Sequence, residues 1–108
     1  MAIINLCKHS VDLSCGVSIP ASGVEARVDS QSVVVDKIMI NGTVVEILEV
    51  VYGEVINLPE YKKDVFYVVS GMVRAALPNR ADLYSPGILV RDTAGVVQGC
   101  RGLVRNTQ

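Results

Sequence analysis

Two β-branched runs that meet at Asn41-Gly42 constrain this chain more than any other feature. The stretch from Val33 to Ile56 is its most apolar, and the Asn-Gly pair divides it. Both residues of that pair accept the positive φ of a type I′ turn, so Asn-Gly between apolar runs is a strong hairpin signal. The pattern predicts paired antiparallel strands over Ser32–Ile40 and Thr43–Val51. One face of the second strand carries Thr43, Val45, Ile47, Glu49 and Val51; the other carries Val44, Glu46, Leu48, Val50 and Tyr52. Neither is cleanly polar, as the wet side of a half-buried strand should be. A chain of 108 residues has little interior with which to cover both. The second face is therefore expected to lie against another subunit of a homo-oligomer. The alternative is a closed barrel with a loosely apolar exterior.

Punctuation elsewhere sets the remaining elements. Val and Ile together number 28, a bias toward strands because β-branched side chains suit a pleated surface. Pro20-Ala21-Ser22-Gly23 is a turn that follows a short N-terminal strand pair, and Val65–Val69 reads as a buried strand. Ser70 is placed to cap a short helix through Leu77, which Pro78 cannot continue. Asn79–Gly87 is expected to be a polar loop with Pro86-Gly87 as a turn. Ile88–Arg91 and Val96–Val104 form a final hairpin closed by Asp92-Thr93-Ala94-Gly95. The expected fold class is all-β, an antiparallel, small barrel-like or sandwich arrangement with one short α-helix at residues 70–77, in a single domain spanning residues 1–108.

Ten basic and eleven acidic residues leave a formal net charge of −1, which argues against a globally basic nucleic-acid binder. No apolar run approaches the roughly 20 residues that cross a bilayer as a helix. The first residues lack the basic segment and long apolar stretch of a secretory signal. A cytoplasmic location is expected, with neither a membrane nor a nucleic-acid polymer as partner. The cysteines, Cys7, Cys15 and Cys100, are odd in number and include no CxxC pair, which points to reduced thiols. With His9 they match no common zinc spacing, so neither metal nor cofactor is expected.

The near-neutral total hides an uneven distribution. Residues 1–70 hold five basic and nine acidic groups, a net of −4, whereas residues 71–108 hold five basic and two acidic, a net of +3. All the cations of the second segment are arginines: Arg74, Arg80, Arg91, Arg101 and Arg105. Guanidinium presents a planar fork that suits phosphate or carboxylate, as a site for an anionic ligand requires. Arg101 and Arg105 fall on one face of a strand by their spacing, and Gly99 and Gly102 beside them allow close approach. Arg91 and Asp92 sit at the mouth of the same hairpin. Asn79, Arg80 and Asp82 lie in the loop after the helix, where binding residues concentrate. There Asn and Asp suit a base edge or ribose hydroxyls while Arg meets phosphate. The competing reading pairs Arg80 with Asp82 and Arg91 with Asp92, and makes Asn79 and Asp82 ordinary loop formers.

Catalytic patterns are weak. His9 is a lone histidine beside Cys7 and Ser10, and no glycine-rich phosphate loop joins a strand to a long helix. A non-catalytic protein that binds an anionic, nucleotide-like small molecule between subunits is expected. The alternative is an oligomeric protein–protein module whose arginines anchor an interface.

Asn5-Leu6 with His9, then Ile19-Pro20, Ser22-Gly23 and Ala26-Arg27, resemble the opening of small proteins carried by phages and prophages. The resemblance continues through Gly53-Glu54-Val55, Leu58-Pro59-Glu60 and Tyr67-Val68-Val69-Ser70. It is densest from Ala76-Leu77-Pro78 with Arg80 and Asp82-Leu83, through Pro86 and Val90-Arg91-Asp92, to Gly95 and Gly99-Cys100. Spanning nearly the whole chain, it is similar to the Thoeris anti-defence sponge family. That resemblance implies a protein that oligomerises and sequesters cyclic ADP-ribose-type immune signals without cleaving them. Arg27 and the C-terminal arginines would then meet the ligand, with Phe66 or Tyr84 stacked on its adenine. The chain departs from the pattern at Cys7-Lys8, where threonine-proline is expected before the early histidine, so no role for His9 carries over.

Overall fold

Asn41 and Gly42 both take positive φ, 50° and 79°, and the chain reverses there between β4 (Arg27–Ile40) and β5 (Thr43–Ile56). The computed structural model describes residues 1–107. The hairpin lies where the Asn-Gly turn predicts it but is longer, pairing from Ile40 opposite Thr43 down to Arg27 opposite Ile56. One extra residue on β4 between Val34 and Asp36 is offset by one on β5 between Tyr52 and Val55. Such bulges bend a strand pair and strengthen its twist. The two faces of β5 are those read from the sequence, and nearly all of their side chains are exposed.

The other strands are β1 (Ala2–Asn5), β2 (Val11–Asp12), β3 (Ser18–Ile19), β6 (Val65–Val68), β7 (Leu83–Arg91) and β8 (Val97–Arg105), with one helix, α1 (Gly71–Ala76). The chain is all-β with one short helix. Its main sheet has the order β1-β6-β7-β8, while β2–β3 and β4–β5 form separate antiparallel ribbons. These sheets are open and close no barrel among the described residues. The main sheet is also mixed: β1–β6 and β6–β7 run parallel, and β7–β8 antiparallel. Parallel neighbours need a crossover, and α1 lies in the one joining β6 to β7. Its ends are set by sequence: Ser70 Oγ accepts from the Val73 amide at 3.2 Å, and Pro78 follows the C-cap Leu77.

Residues 83–87 form the first half of β7, not the loop expected from Pro86-Gly87. Buried Leu83 and half-buried Tyr84 pair with β6 on one side, and β8 pairs along the other. Pro86 lies past the last β6 pairing, where β7 becomes an edge and a missing N–H is tolerated. Gly87 stands against the Arg101 carbonyl, where a Cβ has no room.

Two apolar clusters sit on opposite faces of the main sheet. Leu6, Tyr67, Val69 and Leu83 pack against Val73 of α1, and Val28 and Val55 from the base of the β4–β5 arm join them. On the other face Val68 and Cys100 pack against Val11 beneath the β2–β3 ribbon. The rest of the arm contributes to neither. The Cα radius of gyration is 17.3 Å, against about 13 Å for a compact chain of this length. Among the described residues no helix is long and apolar enough to cross a membrane.

Candidate functional site

Strand parity brings an aromatic pair and an arginine to one face of the main sheet. Phe66 and Val68 alternate on β6, Tyr84 is the β7 partner of Val68, and Arg105 is the β8 partner of Tyr84. The Phe66 and Tyr84 rings meet edge to face at a centroid distance of 5.5 Å. With Met1, Ile3, Val68 and Leu103 they line a cavity of about 200 Å³. Its lining is apolar. Arg105, paired with Tyr84 across β7–β8, is exposed and has no acidic partner among the described residues. An apolar, partly aromatic recess on the sheet face that also carries Arg105 is what the arrangement offers chemically.

The remaining predicted residues are spread over the molecule. Arg101 lies opposite Ile88 in β7–β8, exposed and without a side-chain partner among the described residues. Arg91, also exposed, donates from Nη1 to the Gly95 carbonyl at 3.0 Å and so braces the hairpin turn. Asp92 does not pair with it. Its carboxylate accepts from the amides of Ala94 and Val96 and from Gln98. Arg27 is at the base of the arm, 3.6 Å from Glu25, in a hollow shared with Asp29 and Glu54. That acidic company repels an anion.

Arg80 and Asp82 satisfy each other. The guanidinium donates to both carboxylate oxygens, at 2.8 and 2.7 Å, and also to the Pro59 carbonyl at 3.1 Å. The Asp82 side chain is 1% exposed. Its hydrogen bond raises the Arg80 pKa against the opposing effect of burial. Asn79 is exposed in the turn after α1.

Several polar residues that organise the site carry no local sequence signal. Arg74 reaches from α1 to Ser85 Oγ at 2.8 Å and to Asn106 Oδ1 at 3.1 Å. Buried Asn106 in turn donates to the carbonyls of Leu77 and Arg80, fixing the α1–β7 turn beside Arg105. Asn5, also buried, holds the N-terminal segment through the Cys7 amide and the carbonyls of His9 and Ile19. These bonds join residues up to 32 positions apart, which no motif spacing reveals.

A broader depression of about 380 Å³ lies between β2 and the β7–β8 hairpin, lined among others by Asp12, Leu89, Gln98 and Cys100. Its one charged residue is Asp12, which accepts from Ser18 Oγ at 2.6 Å, so it does not suit an anion. Cys7, half-buried on the same side of the sheet, has its thiol pKa pushed up by burial and secondarily by Glu25. All the cysteines are free thiols. Comparison with protein-family models, with curated proteins and with solved structures finds no match to this chain.

Proposed function

We propose that the chain binds and sequesters, without cleaving it, an anionic nucleotide-like small molecule of the cyclic ADP-ribose or cyclic oligonucleotide type. The pocket is completed between subunits of a homo-oligomer, and the protein serves a phage or prophage in the host cytoplasm. The observation that carries this reading is Arg105 on the same sheet face as a cavity walled by Phe66 and Tyr84. The rings accept a base, and stacking of that kind contributes about 1–3 kcal/mol. Arg105 meets phosphate in a charge-assisted bond that contributes about 1.5–3 kcal/mol. At about 200 Å³ the cavity is smaller than the roughly 300–1,000 Å³ of complete small-molecule sites. One copy therefore takes the base, and a second closes over the rest of the ligand.

Isothermal titration against a panel of cyclic nucleotides and cyclic ADP-ribose isomers tests this. Heat is expected with at least one member, and the ligand released by heating the complex is expected to be chemically intact. Arg105→Ala and Phe66→Leu should each weaken binding about tenfold or more. No heat with any member at micromolar protein overturns the reading.

The exposed apolar arm favours a second reading, an oligomeric protein–protein module acting as a host-protein inhibitor or a phage accessory protein. A host protein that co-purifies with the chain and is lost on Arg101→Ala supports that alternative.

A further inference from the structure

The chain exposes 7625 Å², whereas a compact monomer of 11.6 kDa exposes about 5,800 Å². The excess, roughly 1,800 Å², is about twice what one partner contributes to a stable interface of standard size. Much of it lies in two places. One is the β4–β5 arm, whose apolar side chains are exposed on both faces. The other is the distal half of the β7–β8 hairpin, where Ile88 is 75% exposed and Leu89, Val96 and Val97 are exposed beside it.

Charge distinguishes these surfaces. β4 and β5 together hold five carboxylates and two basic groups, whereas β7 and β8 hold three arginines and no acid. Within the arm the faces also differ. The face of Val44, Leu48 and Tyr52 carries Lys37 directly opposite Glu46, a neutral pair. The face of Ile38, Ile47 and Val51 carries Asp36 and Glu49, both exposed. Asp36 accepts from the Lys37 amide, and neither carboxylate has a side-chain partner among the described residues. On this face Asp36 lies opposite exposed Ile47; on β7–β8, exposed Arg101 lies opposite exposed Ile88. An anion beside an aliphatic side chain thus has its complement in a cation beside an aliphatic side chain.

We infer that the Asp36/Glu49 face of the arm docks on the Ile88/Arg101 surface of a second copy of this chain. The inference rests on the homo-oligomer in the proposed function and specifies which surfaces meet. Two arms joined through this face would instead set carboxylate against carboxylate, an arrangement that like-charge repulsion disfavours.

The test exploits reversal in trans, read by sedimentation velocity, with circular dichroism to confirm that each variant is folded. One variant combines Asp36→Lys with Glu49→Lys; the other is Arg101→Glu. Each alone sets like charges together and should associate about tenfold or more weakly than the parent chain. Mixed in equal amounts, each arm meets a hairpin of opposite sign, and association should return to near the parent level. The milder Asp36→Asn and Arg101→Gln serve where a reversal fails to fold, each weakening association in the same direction. Parent protein that is oligomeric, with both reversal variants equally so or with no recovery on mixing, overturns this docking and leaves the oligomer standing. A parent chain that is monomeric at concentrations on the order of tens of micromolar overturns both.

Discussion

At the scale of single residues, a carboxylate withdrawn from water is tolerable only where a cation and its hydrogen bonds come with it. Asp82 meets that condition through Arg80, the one side chain among the described residues that donates to it. Arg80→Ala leaves the buried carboxylate without a donor and should cost about 3–5 kcal/mol of stability in urea denaturation. The double variant Arg80→Ala/Asp82→Ala should be less destabilised than Arg80→Ala, because no unpaired buried charge remains. Equal or greater loss in the double variant would show that the pair is not what holds this turn. A weakened ligand response in Arg80→Ala is therefore to be read with its stability, not as lost contact with phosphate. The thiols offer a second check at this scale. Burial raises the Cys7 pKa above its ordinary 9.0, so the folded state holds the thiol proton more tightly than the unfolded one. That contribution is fully present below the ordinary value and is lost as pH rises through the higher folded one. Since thiolate is the reactive form, exposed Cys15 should react with iodoacetamide first at about pH 7, with Cys7 and buried Cys100 protected until unfolding. Peptide mass spectrometry of timed samples reads the order, and Cys7 labelling as fast as Cys15 contradicts it.

At the scale of elements, two glycines of similar sequence context separate local preference from tertiary demand. A Cβ at Gly71, the first residue of α1, meets nothing within 4 Å, and Gly71→Ala should add about 0.4–1 kcal/mol by restricting the unfolded chain. A Cβ at Gly87 would collide with the Arg101 carbonyl and lie 2.8 Å from that of Gly102, so Gly87→Ala should cost several-fold more than Gly71→Ala adds. Thermal unfolding followed by circular dichroism compares them. A Gly87→Ala protein with an unchanged midpoint would mean that β7 and β8 are not this close. The contrast also explains which elements were legible beforehand. The Asn41-Gly42 hairpin and the Ser70-to-Leu77 helix are encoded by turn and cap residues adjacent to them, and both lie where those residues predict. The first half of β7 departs from the loop that Pro86-Gly87 predicts, because that turn signal is local and the pairings to β6 and β8 that override it are long-range. The parallel order β1-β6-β7 was invisible for the same reason. Arg105 is a candidate by residue type and Phe66 only by what the family resemblance implies, and their shared face follows from a β6–β7–β8 register that no spacing encodes. Arg80 and Asp82 went the other way: their closeness in sequence already suggested a pair, and a pair they form.

At the scale of the whole molecule, the chain divides into a packed body and an arm most of which lies outside both apolar clusters. Between them the two apolar clusters draw on Leu6 and Cys7 after β1, on β6, α1, β7 and β8, and on the β2–β3 ribbon, and the arm enters only through Val28 and Val55 at its base. A two-stranded ribbon on its own is marginally stable in water, so the 14-residue strands of the arm persist by gaining contacts elsewhere. In the proposed function those contacts come from a second copy of the chain. It follows that the arm can be shortened without unfolding the body. Ser30 and Tyr52 are directly paired, so excising residues 31–51 and joining these two through a new Asn-Gly turn preserves the geometry at the cut. The shortened chain should unfold cooperatively, with a midpoint close to that of the parent measured at a concentration where the parent is dissociated. It should sediment as a monomer where the parent is assembled. Because one copy supplies only part of the ligand site in the proposed function, the shortened chain should also lose the heat of nucleotide binding while keeping Phe66, Tyr84 and Arg105. A shortened chain that is monomeric yet binds ligand as the parent does would place the whole pocket within one copy. One that fails to fold would make the arm part of the body after all. Each result assigns the arm to a different level of the molecule, and the distribution of its apolar side chains favours the assembly.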